Sequence, residues 1–295
     1  MVEETLRDLK IEDSIIKKIM TSFLANRYSP QEAKNNILAN YRFLKSFIVD
    51  DEKIIRIIKG EPALLLYKEG KLESKFKNLK DAGFDKEQIV KIVTDHSRVL
   101  SLKLDALGQK FDDLEKEGFT RSQLLKMSVY FPPFLSTALI NIQNRILKFI
   151  GLDYSREQVI AMMVSYPQIV SIDLEQLMAK YTAFLDAGFS KEEIVHITVS
   201  YPTIFGNSLS TLNKKLATVF EKGLKSEIME NPKRLMQSAK MTAARANFYE
   251  KNKEGLYQSR SSVIYCNFNY FNKKISPLSK TELIKQYGDE EKKIA

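Results

Sequence analysis

The chain has few of the residues from which disulfides, metal sites and nucleophilic active sites are built. Its 295 residues include one cysteine, Cys266, two histidines, His96 and His196, and no tryptophan. A single cysteine excludes a disulfide framework, and the absence of a Cys/His cluster excludes most zinc and histidine-activated nucleophile chemistry. No phosphate-binding loop or dinucleotide fingerprint occurs. We therefore expect a protein that is not an enzyme and that has no cofactor, metal or small-molecule substrate.

Long hydrophobic runs and targeting signals are also missing. No stretch of 18 apolar residues occurs, so no membrane span is expected. The first ten residues, MVEETLRDLK, fit neither a secretory signal nor an acidic-poor transit peptide. The compartment stays open between a mitochondrion or other organelle, if a presequence has been removed, and a bacterial cytoplasm or, after export, a host cell.

Basic charge, in contrast, is abundant. There are 46 Lys and Arg residues against 37 Asp and Glu, giving a net charge of +9. Residues 233–295 hold 13 of the basic and 6 of the acidic residues, so this end of the chain carries most of the excess. Such a balance suits a polyanionic partner.

Prolines mark an internal repeat of 35 residues. Pro62, Pro132, Pro167 and Pro202 share one grid, and Ser97 occupies the remaining node. Ten, fourteen and seventeen residues after each node the chain is apolar, and spacings of four and three residues indicate a helix of about fifteen residues with one buried stripe. Self-similarity at this period is typical of stacked helical repeats.

A second helix is predicted in each repeat. Gly83-Phe84, Gly118-Phe119 and Gly188-Phe189 end the first helix with a glycine suited to a left-handed C-terminus, and Gly151 and Gly223 are looser versions. Capping boxes that begin the second helix follow, in the pairs Asp85 and Gln88, Thr120 and Gln123, Ser155 and Gln158, Ser190 and Glu193.

These signals predict an all-α superhelical solenoid of about six repeats. Residues 1–26 are expected to form an N-terminal helical cap, residues 27–232 the repeats, and residues 233–295 a degenerate last repeat with a basic C-terminal tail. Terminal units that repeat less cleanly are usual in such arrays, because they meet solvent on one side.

The segments YPQIV (166–170), YPTIF (201–205) and AGFSKEEI (187–194) resemble the mitochondrial transcription termination factor (mTERF) repeat. The resemblance covers about residues 27–260. It implies two antiparallel helices and a short 3₁₀ turn per repeat, and a basic concave groove that holds duplex DNA or, in some members, RNA. A weaker resemblance links GFDKEQIVKI and GFSKEEIVHI to TAL-effector-like repeats, whose glycine-rich base-reading loop is absent here.

Two columns of basic residues recur on the grid. The first column lies thirteen residues after each node, where a long side chain beside the buried stripe could extend its charge into a groove; it comprises Lys75, Lys110, Arg145, Lys180, Lys215 and, after Pro232, Arg245. The second column lies twenty-four residues after each node, at the start of the second helix, and comprises Lys86, Arg121, Arg156 and Lys191. The helix dipole disfavours a cation there, but a bound phosphate would reverse the sign.

We therefore predict a monomer that binds double-stranded DNA, or RNA as second choice, through both columns, with a role in transcription regulation or termination. Neither the target sequence nor the outcome of binding is indicated. The alternative is a protein-protein interaction scaffold, such as a bacterial effector, in which basic columns that scatter or pair with carboxylates serve only solubility. Residues 259–274, SRSSVIYCNFNYFNKK, suit either stacking on bases or a buried C-terminal cap.

Overall fold

The structure is a computed structural model that describes residues 1–26 and 28–288, with the side chain of Asn26 excepted. Every regular element in these residues is helical. The α-helices are α1 (Val2–Asp8), α2 (Asp13–Asn26), α3 (Pro30–Phe47), α4 (Asp51–Gly60), α5 (Lys71–Asp81), α6 (Lys86–Asp95), α7 (Leu107–Lys116), α8 (Arg121–Tyr130), α9 (Leu139–Ile150), α10 (Arg156–Ser165), α11 (Leu174–Ala187), α12 (Lys191–Ser200), α13 (Leu209–Glu221), α14 (Lys225–Glu230), α15 (Ala239–Asn252), α16 (Arg260–Tyr265), α17 (Phe268–Lys274) and α18 (Lys280–Tyr287).

Seven 3₁₀ turns complete the helical structure of the described residues. They are Pro62–Leu66, Ser97–Ser101, Pro132–Ser136, Pro167–Ser171, Pro202–Gly206, Pro232–Met236 and Lys253–Gly255. The first six begin at the nodes of the sequence grid, and each repeat is counted from its node, so it consists of a 3₁₀ turn, a first helix and a second helix. Helices α3 and α4 form the same pair before the first node. Proline suits the first position of each turn because its missing N–H would have no partner there. The predicted all-α helical-repeat solenoid is confirmed.

The helix boundaries follow from local chemistry. All four predicted capping boxes are present, with both the side-chain and the backbone hydrogen bond in each. Gly83, Gly118 and Gly188 adopt the left-handed conformation, with φ of 109°, 109° and 101°. Gly151 does not, because the left-handed position of that turn falls on Asp153, with φ of 70°.

The described residues fall into two compact units, residues 1–144 and residue 145 onwards. In each unit the grid positions of the first helices are buried, as at Phe111 and Leu114 in the first unit and at Leu177 and Phe184 in the second. Helices α15–α18, here called the C-terminal cap, add a core of their own. Its buried members are Met241, Ala244, Phe248, Val263, Phe271 and Leu283.

Candidate nucleic-acid interface

The charged ends of the first-column side chains point into the protein. Each side chain leaves its first helix and donates to backbone carbonyls at the end of the following repeat's 3₁₀ turn or, for the last of them, at the end of α16. The contacts are Lys75 Nζ to Leu102 O at 2.5 Å, Lys110 Nζ to Phe134 O, Leu135 O and Thr137 O at 2.9, 3.2 and 2.6 Å, Arg145 Nη2 to Ile172 O at 2.5 Å, Lys180 Nζ to Phe205 O at 2.7 Å, Lys215 Nζ to Leu235 O and Met236 O, and Arg245 Nη1 to Ile264 O and Cys266 O at 2.9 and 2.7 Å.

The physical reason for these contacts is the end of a helical turn. The last carbonyls of a helix have no partner within it, and they carry a partial negative charge. A buried carbonyl without a donor costs about 1 to 3 kcal/mol, so a long cationic side chain from the preceding repeat stabilises the turn. The first column therefore links each repeat to the next one along the chain.

Asn40 extends the same arrangement towards the N-terminus. It lies 35 residues before Lys75, and its amide nitrogen donates to Leu65 O at 3.0 Å and Tyr67 O at 2.6 Å. A neutral side chain therefore donates the hydrogen bonds to the turn in this repeat. What the position requires is a hydrogen-bond donor, and a positive charge is one way to supply it.

This geometry corrects the expectation that the first column extends its charge into a groove. Lys75, Lys180, Lys215 and Arg245 are buried, and Lys110 and Arg145 are half-buried. Burial lowers the pKa of all six groups, to about 8 for Lys110. The periodicity correctly predicts that these side chains flank the buried stripe. It does not predict where their charged groups point, because that depends on backbone carbonyls in another repeat.

The lowered pKa of Lys110 predicts a pH dependence of stability. The unfolded chain holds this proton up to about pH 10.5 and the folded protein only to about pH 8, so the unfolded state binds more protons between these values. The free energy of unfolding should therefore rise with pH across this window. Arginine does not titrate there, so the stability of the wild type relative to Lys110→Arg should increase from pH 8 to pH 10 in urea titrations. A difference that stays constant would contradict the lowered pKa.

The second column lies at the helix starts that the grid predicts, and it also contacts the preceding repeat. Arg121 forms ion pairs with Asp112 and, at 2.8 Å, with Glu115, and it donates to Ala82 O at 3.4 Å near the end of α5. Lys191 pairs with Asp153 at 2.9 Å. Lys86 Nζ lies 5.3 Å from the ring centre of Phe47, and Arg156 begins α10 half-buried.

These neighbours explain why cations are tolerated at helix N-termini. The end of the preceding first helix carries exposed carbonyls and a partial negative charge, which offsets the unfavourable dipole of the second helix. Lys225 and Arg260 continue the arrangement, donating to Gly188 O and Gly223 O at 3.2 Å each. Sequence reasoning missed both because the spacing of the last repeat departs from 35 residues.

Comparison with protein families decides the assignment. The mTERF family model matches residues 4–118 and 109–272, which is most of the chain. The chain belongs to the mTERF family. Membership indicates a helical-repeat protein that binds nucleic acid, in a family that is generally not enzymatic. A search of curated proteins finds no match.

The second helices of the mTERF repeats also form an exposed cleft that carries positive charge. A cavity of about 530 Å³ lies between α6 and α8 and is lined by Lys91, Lys126 and Tyr130, together with apolar residues of α8 and without a carboxylate. The side chain of Tyr130 is 67% exposed. Lys91 and Lys126 lie 35 residues apart and so share one grid position.

A larger cleft of about 880 Å³ between α4 and α6 is electrically mixed. Its cations are Lys53, Arg56, Lys86 and Lys91, and its acids are Asp50, Glu52, Glu87 and Asp95. Arg56 lies 3.8 Å and Lys91 2.7 Å from Asp95. The cleft between α6 and α8 differs in that no carboxylate lines it, although Lys91, which lines both clefts, pairs with Asp95.

Among the residues that the structure describes, no group of three or more His, Cys, Asp or Glu side chains is arranged to hold a metal ion. Within residues 1–26 and 28–288, no helix has the length and apolar character needed to span a membrane.

Proposed function

We propose that this mTERF-family protein binds nucleic acid through the second helices of its repeats. Duplex DNA is the first partner and RNA the second, and binding serves the regulation or termination of transcription. The observation that carries the proposal is the family match over residues 4–272. The net charge of +9 agrees with it, since phosphate contacts dominate the affinity of such proteins.

The second column is proposed to supply phosphate contacts within each unit. Lys86 and Arg121 stand at the starts of α6 and α8, and Arg156 and Lys191 at the starts of α10 and α12. Helix amides and a basic side chain at such a position can bind one anion together. The ion pair of Lys191 with Asp153 is solvent-exposed, so exchanging that carboxylate for a phosphate costs little.

Lys91 and Lys126 are proposed to add contacts in the cleft between α6 and α8. Their side chains are exposed, and Tyr130 offers an aromatic surface beside them. The first column has an indirect part in this proposal: Lys75, Lys110, Arg145, Lys180, Lys215 and Arg245 hold the repeats in register and do not contact phosphate.

The test is fluorescence anisotropy of labelled duplex DNA, single-stranded DNA and RNA over a salt series. The binding variant replaces Lys86, Arg121, Arg156 and Lys191 by glutamine. Each lost contact to duplex DNA should reduce the slope of log affinity against log salt by about 0.9, so four losses should reduce it by about 3 to 4. Affinity at physiological salt should fall by orders of magnitude.

A matched control removes the same charge elsewhere. Lys17, Lys18, Lys80 and Lys214 are exposed, and replacing these four by glutamine should change the salt slope little. An equal loss in both variants would mean that only net charge matters and would contradict the assignment to the second column. Absence of binding to all three nucleic acids at low salt would end the proposal itself.

A protein-interaction scaffold remains the second candidate because of one observation. Arg121 and Lys191, two of the four second-column residues, already pair with carboxylates. Such pairing is expected if these charges serve only solubility. This candidate expects a stable, folded wild type that binds no nucleic acid. The anisotropy series therefore separates the two functions.

A further inference from the structure

The C-terminal cap contains a long segment without a single carboxylate. Residues 255–281 include no Asp or Glu, yet they hold Arg260, Lys273, Lys274 and Lys280 and several aromatic residues. Among residues 28–288 no carboxylate forms an ion pair with these three lysines, in contrast to Arg121 and Lys191 of the repeats. Arg260 pairs with Glu227 and Glu250, so the charge of this segment that no described carboxylate balances lies on the three lysines.

Helix α17 divides its aromatic residues between the core and the solvent. Phe271 is fully buried and packs edge to face on Phe248, with ring centres 5.5 Å apart. Tyr270 stands next to it in sequence but is 44% exposed. The two uses that the composition of residues 259–274 suggested, a buried cap and a stacking surface, therefore fall on different faces of one helix.

Two lysines lie beside the exposed tyrosine. Lys273 and Lys274 follow Tyr270 by three and four residues, and residues so spaced are neighbours on a helix surface, about 5 to 6 Å apart between Cβ atoms. Both side chains are exposed. An aromatic ring with cations at its side is the arrangement that holds a base by stacking and its phosphates by charge.

A third lysine is brought to the same helix from α18. Lys280 Nζ lies 5.2 Å from the ring centre of Phe268, which stacks on Phe271 with ring centres 6.2 Å apart. The buried ring of Phe271 packs α17 against the cap core. Lys280 lies beside Phe268 at the start of α17, while Lys273 and Lys274 lie near Tyr270 in its last turn.

We infer that the α17 face, formed by Tyr270, Lys273 and Lys274, binds an unpaired nucleotide, with Tyr270 stacking on the base and the two lysines contacting flanking phosphates. The inference rests on the proposed function, because it assigns a single-stranded contact to a protein that the proposal describes as a duplex binder. A base within a duplex presents its faces to its neighbours, so only a melted, frayed or single-stranded segment can stack on Tyr270.

The absence of tryptophan permits a direct readout. In Tyr270→Trp the new indole is the only one in the chain, and its fluorescence should be quenched on adding a 20-nucleotide oligothymidylate but not on adding a 20-base-pair duplex. Tyr257 is fully exposed in the same cap, so Tyr257→Trp serves as the control and should show no quenching. Equal quenching by the duplex, or none by either ligand, would overturn the inference.

Affinity for the same oligothymidylate provides a second measurement. Tyr270→Ala should weaken binding about tenfold or more, whereas Tyr270→Phe should keep it. Replacing Lys273 and Lys274 by glutamine should reduce the salt slope by about 1.4, while the same change at Lys17 and Lys18 should not. If the wild type binds oligothymidylate and Tyr270→Ala binds it with equal affinity, the α17 site alone is refuted. A wild type that binds no nucleic acid would refute the proposed function as well.

Discussion

Replacing Lys110 by methionine is expected to lower the free energy of unfolding by about 2 to 4 kcal/mol. The change keeps the apolar stem and removes the amine that donates to Phe134 O, Leu135 O and Thr137 O. Each carbonyl left without a donor in a partly buried place costs about 1 to 3 kcal/mol, and relief from burying a charge offsets part of the sum. Urea titration followed by circular dichroism measures the effect.

Two companion variants separate the hydrogen bonds from the charge. Lys110→Arg should keep most of the stability, since Arg145 and Arg245 perform the same task in other repeats. Lys116→Met, on the exposed side of the same helix, loses only a surface ion pair with Asp113 and should cost less than about 1 kcal/mol. If Lys110→Met were as stable as the wild type, the first column would not be linking repeats.

Replacing Arg245 by methionine should loosen the C-terminal cap. Arg245 is 2% exposed, and its guanidinium donates to Ile264 O and Cys266 O and lies 4.6 Å from the ring centre of Phe271. Loss of these contacts should cost about 3 kcal/mol, which is a roughly hundredfold larger population of the opened cap. Hydrogen exchange of α16 and α17, and tryptic cleavage after Lys273 and Lys274, report that population.

The controls for Arg245 use the same helix. Arg245→Lys retains a donor, as lysine does at the equivalent position of four repeats, and should protect α16 and α17 far better than methionine does. Lys251→Met removes an exposed cation of α15 that lies 5.3 Å from the ring centre of Tyr287 in α18, and it should leave exchange of α16 and α17 unchanged. Rapid exchange confined to α15 after Arg245→Met, with α16 and α17 still protected, would contradict the link.

Signals that act over a few residues were readable from the sequence. Capping boxes such as Ser190 with Glu193 and glycines such as Gly188 specify a helix start or end through their nearest neighbours, so the repeat and its boundaries follow directly. The pattern around Gly151 was the exception, because Asp153 adopts the left-handed conformation in its place.

The hydrogen-bond partners of the long basic side chains could not be predicted in the same way. The sequence placed Lys180 beside the buried stripe, but the carbonyl of Phe205 that accepts its hydrogen bond lies 25 residues further on. One signal was available: Asn40 occupies a position of the first column without a positive charge, which suits a hydrogen-bond donor better than a column of phosphate-binding cations. For Arg121 the missing information was the end of α5, whose carbonyls face it across a repeat boundary.

The first column has a consequence for how such a chain can change length. Lys75 and Lys110 each reach an acceptor 27 residues ahead, so every segment of 35 residues carries one donor and one acceptor in the same register. Deleting residues 76–110 would place Lys75 before Phe111 and bring the carbonyl of Thr137 to the distance at which Leu102 now lies. Duplication or loss of whole segments therefore conserves every link. A shorter second helix is also accommodated, since α14 has six residues and Lys215 still reaches Leu235, 20 residues ahead.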